Sequence, residues 1–107
     1  MNMDRMNEII EKYGAEYMLR QMAEECCELA QAAMKLIRAW NKETPMRATE
    51  AMENMMEEMA DVSLMVAGVF NNMLTEEQKE FVYDMNERKE QRMYARMLDG
   101  KMEEDVW

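Results

Sequence analysis

Two short acidic segments of the sequence each place a pair of carboxylates three residues apart. Glu25 and Glu28 form the first pair, and Glu58 and Asp61 form the second. On an α-helix, residues three apart lie on the same face, so each pair projects from one side of its helix. Four carboxylates facing each other from two helices would repel unless a cation lay between them. Because hard divalent ions prefer oxygen ligands, we predict a magnesium or manganese site at these residues.

The helical positions of these acids place them beside apolar residues rather than in bulk solvent. At about 100° per residue, Glu25 falls at the border of the apolar stripe of its helix. Glu28 lies slightly further round, in line with Tyr17 and Gln21, and Glu58 falls inside the apolar face of its own helix. A buried carboxylate is costly unless it is neutralised, which favours a bound cation. Either pair taken alone could instead belong to a solvated helix face.

The composition predicts an all-α protein. The 107 residues include only three glycines and one proline, and helix-forming residues dominate. Apolar periodicity divides the chain into about four helices, which we expect to form an antiparallel bundle. The expected bounds of these helices are residues 3–13, 16–40, 45–72 and 75–98. We expect residues 1–100 to form one domain and residues 101–107 to form a frayed tail.

Local sequence signals mark the ends of these helices. Gly14 and Gly100 are typical of residues that follow a helix C-terminus. Thr44 followed by Pro45 predicts an N-cap with proline at the first helical position. The segment Thr75-Glu76-Glu77-Gln78 fits a capping box at the start of the last helix. These boundaries assign the two acidic pairs to the second and third helices.

Two apolar features predict burial and self-association. Residues 59–70 are apolar nearly all round their helix, which is typical of a helix buried on most sides. Adjacent Cys26 and Cys27 are expected to be packing residues, with a redox role as the alternative, since adjacent helical cysteines are poorly placed to bridge. Because one short chain cannot cover so much apolar surface, we expect a homodimer or a tetramer.

Charge and composition exclude several classes of function. A net charge of −10 argues against non-specific binding of nucleic acid. No apolar run reaches the ~20 residues of a membrane span and no secretory pattern begins the sequence, so we expect a cytoplasmic protein without a membrane partner. The sequence contains no histidine, which excludes histidine-based triads, the usual zinc sites and the di-iron sites that contain histidine.

The acidic segments resemble the E-E-x-x-E and E-x-x-D motifs of the all-α nucleoside triphosphate pyrophosphohydrolases. The first motif matches Met-Ala-Glu-Glu-Cys-Cys-Glu-Leu at residues 22–29, and the second matches Glu-Glu-Met-Ala-Asp-Val at residues 57–62. This superfamily contains MazG, the dimeric dUTPases, the dCTP pyrophosphatases and the phosphoribosyl-ATP pyrophosphohydrolases. The resemblance covers about residues 10–98 and is closest to small MazG-like proteins. It implies an oligomeric helical protein that cleaves a nucleoside triphosphate between its α and β phosphates.

The resemblance also implies roles for the acidic residues. Those expected to hold magnesium, with manganese as a possible substitute, are Glu25, Glu28, Glu58 and Asp61. Glu24 would support them or help to orient water, so that Glu24, Glu25 and Glu28 form the expected catalytic group. Among the aromatic residues, Tyr17 is best placed to stack on a base, with Gln21 on the same side of the helix.

A basic or amide residue of the last helix is expected, from the resemblance, to contact phosphate. Lys89 is the first candidate, followed by Arg92 and Asn86. Arginine and lysine supply the charge and the donors that phosphates require. The alternative is that these residues form a solvated face in which basic side chains pair with nearby acids.

Two other functions fit the same sequence. The first is a non-catalytic helical module that keeps the fold and binds metal or a partner. The second is a pyrophosphohydrolase of a nucleotide-like metabolite such as phosphoribosyl-ATP, although no ribosyl-phosphate pocket is evident. The complete set of four acidic ligands favours an active nucleoside triphosphate pyrophosphohydrolase, and the sequence leaves the preferred base undecided.

Overall fold

The computed structural model describes residues 2–100, which form three α-helices. Helix α1 spans Met3–Trp40, α2 spans Ala48–Met73 and α3 spans Glu76–Leu98. These residues contain no strand, so the all-α prediction is confirmed. The predicted tail at residues 101–107 lies outside the described residues. Within residues 2–100, none of the helices combines the length and the apolar character that crossing a membrane would require.

The structure has three helices rather than the expected four because α1 continues past Gly14. The backbone of Gly14 departs from the helix, with φ 88° and ψ 169°. Glycine adopts positive φ without the strain that a Cβ atom would cause. The predicted interruption is therefore a kink inside α1, and residues 3–13 before it are called the N-terminal segment below. Asn2 caps this segment by accepting a hydrogen bond from the backbone N–H of Arg5 at 3.1 Å.

The predicted start of the second helix at Pro45 is wrong, because α2 begins at Ala48. Thr44 does not cap the helix; its Oγ1 accepts a hydrogen bond from the backbone N–H of Met46 at 3.4 Å, within a local turn. Lys42 has a positive φ of 58°. The residues between Trp40 and Ala48 are used to reverse the direction of the chain, which leaves Pro45 in the connection.

Residues 2–100 form two compact units, which are divided after Met73. The first unit contains α1 and α2, which pack against each other. Near their connection, Leu36, Ala39 and Ala51 form a buried cluster.

The opposite end of this helix pair is closed by contacts around Gly68. Met18 is fully buried, and its Cε lies 3.4 Å from the position that a Cβ atom of Gly68 would occupy. Leu36 and Ala39 meet Ala51, whereas the earlier Met18 meets the later Gly68. The contacts run in opposite sequence directions, so α1 and α2 are antiparallel.

The second unit contains α3, whose predicted capping box is confirmed. Thr75 Oγ1 accepts a hydrogen bond from the backbone N–H of Gln78 at 3.2 Å, and Gln78 Oε1 accepts one from the backbone N–H of Thr75 at 2.9 Å. The helix ends at Leu98, as predicted, and Gly100 beyond it has φ 71°. No residue of α3 is buried.

Two expectations about burial are wrong in this structure. Within the apolar run at residues 59–70, Met59 and Val66 are 48% and 45% exposed. Cys26 and Cys27 are also exposed, and both are free thiols. In the first unit α2 packs only against α1, so a helix that is apolar on several sides buries one of them.

Candidate metal centre

Three of the four predicted ligands come together between α1 and α2. Glu25, Glu58 and Asp61 each offer a carboxylate oxygen, and these oxygens lie within 4.8 Å of one another. The antiparallel packing produces this group, because it sets the middle of α1 beside the middle of α2. Asp61 is exposed, whereas Glu25 and Glu58 are partly buried. The structure therefore brings together one acid of the first pair and both acids of the second.

The spacing of buried residues explains why Glu25 and Glu58 point into the helix interface. Glu25 lies seven residues after Met18 and seven before Ala32, both of which are buried. Glu58 lies seven residues after the buried Ala51. Seven residues correspond to about two helical turns, so these side chains share the packed face of their helices. Each glutamate occupies a position that would otherwise hold an apolar residue.

The burial leaves two carboxylate oxygens without partners. Oε2 of Glu25 and Oε2 of Glu58 are shielded from solvent and accept no hydrogen bond from the described residues. Desolvation raises the pKa of Glu25, and the negative charge of Glu28 raises it further. Desolvation also raises the pKa of Glu58, and the negative charge of Glu28 raises it further. Without a cation, the centre favours protonated carboxyl groups at these positions.

Glu28, the remaining predicted ligand, lies beside the group rather than in it. Its side chain is exposed, yet its carboxyl group is close enough to affect the pKa of both Glu25 and Glu58. Glu24, predicted to support the ligands, is exposed on α1. The side chain of Glu28 therefore borders the centre, where its carboxylate can accept a proton or join a metal ligand set.

The chemistry of the donor set fits a hard divalent cation. Three carboxylates from two helices supply oxygen ligands only, which Mg²⁺ and Mn²⁺ accept and which softer metals bind less readily. The two orphaned oxygens are also explained by a cation, since a bound ion supplies the positive partner that the surrounding side chains do not. Both cysteines are exposed, and neither belongs to the group.

An apolar cavity of about 180 Å³ adjoins the centre on one side. Glu25 and Asp61 form part of its wall, together with Tyr17 and Gln21, the two residues predicted to bind a base. The remaining wall is apolar and is made by Met6, Ile9, Met18, Leu64 and Met65. The structure therefore places an aromatic ring, an amide and two metal-ligand candidates around one cavity.

The ring of Tyr17 is held by a neighbouring aromatic residue. The ring centroids of Tyr13 and Tyr17 lie 4.9 Å apart with an interplanar angle of 31°, and Lys12 Nζ lies 5.4 Å from the centroid of Tyr13. Such ring contacts favour a defined arrangement of the two side chains. Tyr17 is thus both a wall of the cavity and part of an aromatic pair near the kink at Gly14.

A second cavity of about 170 Å³ adjoins the centre further along the helix pair. It is predominantly polar, and Glu28 and Glu58 form the part that is nearest the centre. The other polar residues of its wall are Gln31, Lys35, Asn54 and Glu57. The metal-ligand candidates therefore lie between an apolar cavity and a polar one.

The residues predicted to bind phosphate lie elsewhere in the chain. Asn86, Lys89 and Arg92 belong to α3, which is part of the second compact unit. The centre and its two cavities are built from residues of the first unit alone. A phosphate-binding role for these α3 residues stays a prediction.

Several wall residues were missed by the sequence analysis. Lys35 lies seven residues after Glu28, a spacing that could have placed it on the same face of α1. Asn54 lies four residues before Glu58, a spacing that places both residues on the same face of α2. No comparable signal marks Met6 and Ile9, because their position depends on how the N-terminal segment turns at Gly14.

The chain was compared with known protein families, curated proteins and solved structures. No protein-family model, curated protein or solved structure matches the chain.

Proposed function

We propose that the protein is a magnesium-dependent nucleoside triphosphate pyrophosphohydrolase of the MazG-like class. The reaction would convert a nucleoside triphosphate and water into the nucleoside monophosphate and pyrophosphate. The observation that carries this proposal is the convergence of Glu25, Glu58 and Asp61 between α1 and α2, with two carboxylate oxygens buried and unpartnered. The motif resemblance supports the same assignment.

In this proposal the carboxylates bind the cation, and one of them accepts a proton from the attacking water. When bound, magnesium neutralises phosphate charge and lowers the pKa of a coordinated water. Glu25, Glu58 and Asp61 supply the ligand oxygens, and Glu28 completes the set or accepts the proton of the attacking water. Glu24, which is exposed, is assigned a supporting role through water.

The apolar cavity is the proposed place for the nucleoside. Tyr17 offers a ring face for stacking, and Gln21 offers a donor and an acceptor for the edge of a base. The direct continuity of this wall with Glu25 and Asp61 would set the α-phosphate beside the metal. Positioning of this kind, together with charge stabilisation, is the main contribution that proteins make to phosphoryl chemistry.

We also propose that the chain assembles as a homodimer or a larger homo-oligomer. Trp40 and Met56 are both more than half exposed, and they border one shallow surface with Ala48 and Met52. Covering an apolar surface of this kind by a second copy is a common reason for self-association. Light scattering on the wild type and on a Met56→Lys variant would test this; a monomeric wild type at micromolar concentration would contradict it.

The decisive experiment measures pyrophosphate release from a panel of canonical and modified nucleoside triphosphates. The wild type is compared with Glu58→Gln, and Glu50→Gln serves as a matched control because Glu50 is an exposed acid of the same helix that lies outside the centre and outside the surface around Trp40. We expect release that requires magnesium, stops with a chelator, and falls by at least about a hundredfold in Glu58→Gln only.

The outcome also separates the two alternatives. Release from no nucleotide by a folded protein whose Tm still rises with magnesium would favour a non-catalytic metal-binding module. Release only from phosphoribosyl-ATP would favour the metabolite hydrolase. Equal loss of activity in Glu58→Gln and Glu50→Gln would contradict the proposed centre.

A further inference from the structure

The polar cavity beside Glu28 contains a positively charged side chain, which the acidic centre lacks. Lys35 contributes an ammonium group to its wall, and Gln31 and Asn54 contribute amide donors. Lys35 is exposed, and it forms no ion pair among the described residues although Glu28 and Glu57 border the same cavity. An unpaired ammonium group in a chain with a net charge of −10 is available to an anionic ligand.

We propose that this cavity binds the pyrophosphate portion of the substrate and that Lys35 and Asn54 are its direct ligands. The inference rests on the proposed function and adds a phosphate site within the first compact unit. The resemblance had pointed only to the last helix for this role. Lys35 would donate to the terminal phosphate oxygens, and the Asn54 amide would donate to the group nearer the centre.

The order of groups along the helix pair supports this assignment. Tyr17 and Gln21 line the apolar cavity, Glu25 and Glu58 follow at the centre, and Lys35 lies beyond them. A nucleoside triphosphate has the same order, with an aromatic base at one end, the cleaved bond in the middle and two phosphates at the other end. At 1.5 Å per residue, Lys35 lies about 10 Å along α1 from Glu28, and its long side chain shortens that distance.

The acidic residues of this cavity argue against binding of a free anion and favour an anion that carries a bound cation. Glu28, Glu57 and Glu58 would repel free phosphate, so binding requires that the ligand bring or share a cation. Magnesium pyrophosphate satisfies both sides, because its metal faces the carboxylates while its outer oxygens accept hydrogen bonds from Lys35 and Asn54. We therefore expect binding of pyrophosphate to depend on magnesium.

Calorimetric titration with magnesium pyrophosphate tests this site without relying on turnover. The variants are Lys35→Gln, Lys35→Arg and the control Arg38→Gln, which removes one exposed positive charge of α1 that does not line the cavity. We expect Lys35→Gln to weaken binding by about tenfold, Lys35→Arg to retain most of it and Arg38→Gln to change it less than about twofold. Affinity for magnesium alone should stay unchanged in all three.

The possible results separate this inference from the proposed function. Equal weakening by Lys35→Gln and Arg38→Gln, or no binding of magnesium pyrophosphate to the wild type, would overturn the inference even if nucleotides are hydrolysed. Binding that depends on Lys35 in a protein that hydrolyses no nucleotide would support the anion site and contradict the hydrolase. If nucleotides are hydrolysed, pyrophosphate should also inhibit the wild type more strongly than Lys35→Gln.

Discussion

The Cε atom of Met6 packs against Gly68, in space that a side chain at that residue would need. A Cβ atom built on Gly68 would be 2.6 Å from Met6 Cε, well inside van der Waals contact. Met6 is only 4% exposed, and it also forms part of the wall of the apolar cavity. The missing side chain of Gly68 therefore lets the N-terminal segment fold onto α2 and close one side of the cavity beside Glu25 and Asp61.

A double-mutant cycle tests this contact. Gly68→Ala gains about 1 kcal/mol of helix propensity but forces the flexible end of Met6 to move. We expect Gly68→Ala to change the free energy of unfolding less favourably in the wild type than in a Met6→Ala background, where the space is open. Chemical denaturation of the four proteins gives the coupling free energy, and an equal effect of Gly68→Ala in both backgrounds would show that the two residues do not interact.

The cluster near the connection should carry much of the stability of the helix pair. Leu36 is 3% exposed and packs with Ala39 and Ala51, so Leu36→Ala should lower the free energy of unfolding by about 2–4 kcal/mol. Leu19→Ala is the matched control, because Leu19 is 45% exposed on the same helix and should cost less than about 1 kcal/mol. Urea denaturation measures both, and similar costs would contradict the packing described.

The raised pKa values of Glu25 and Glu58 predict an unusual dependence of stability on pH. A carboxyl group whose folded-state pKa is raised contributes stability that is fully present below its ordinary value of 4.5 and is lost as pH rises through the folded-state pKa. Metal-free wild type should therefore be less stable than Glu58→Gln near pH 7. The two proteins should converge as the pH falls towards 4.5.

Magnesium should reverse this difference. A cation bound to Glu25, Glu58 and Asp61 stabilises the charged forms, so it should raise the Tm of the wild type more than that of Glu58→Gln. Thermal scans with magnesium and with chelator across this pH range measure both effects. A Tm of Glu58→Gln below that of metal-free wild type at pH 7 would show that Glu58 is stabilised by contacts other than a cation.

The capping box of α3 should stabilise the start of that helix. Thr75→Ala removes the acceptor for the backbone N–H of Gln78 and should lower the free energy of unfolding by about 1 kcal/mol. Thr75→Ser keeps a hydroxyl at this position and should retain most of that stability. Hydrogen exchange of the first turn of α3 gives the local readout. Unchanged protection of the Gln78 amide in Thr75→Ala would mean that the cap contributes nothing measurable.

Some features of the fold were predictable because they depend on neighbours in sequence. The start of α3 follows from Thr75 and Gln78, its end follows from Gly100, and the interruption of α1 follows from Gly14. The start of α2 was predicted incorrectly at Pro45, since the length of the connection depends on how α1 and α2 pack. The burial of residues 59–70 was also predicted incorrectly, because periodicity shows which residues are apolar but not how many neighbours a helix has.

The sequence by itself determined the candidate ligands, since three-residue spacing puts each acidic pair on one side of a helix. Tertiary structure decided which acids meet: antiparallel packing joins Glu25 to Glu58 and Asp61, and leaves Glu28 at the edge. It also placed Met6, Ile9 and Lys35 in the walls of the two cavities that adjoin the centre. The physical reason is that spacing along one helix fixes only its own faces, whereas a site between helices depends on their register and direction.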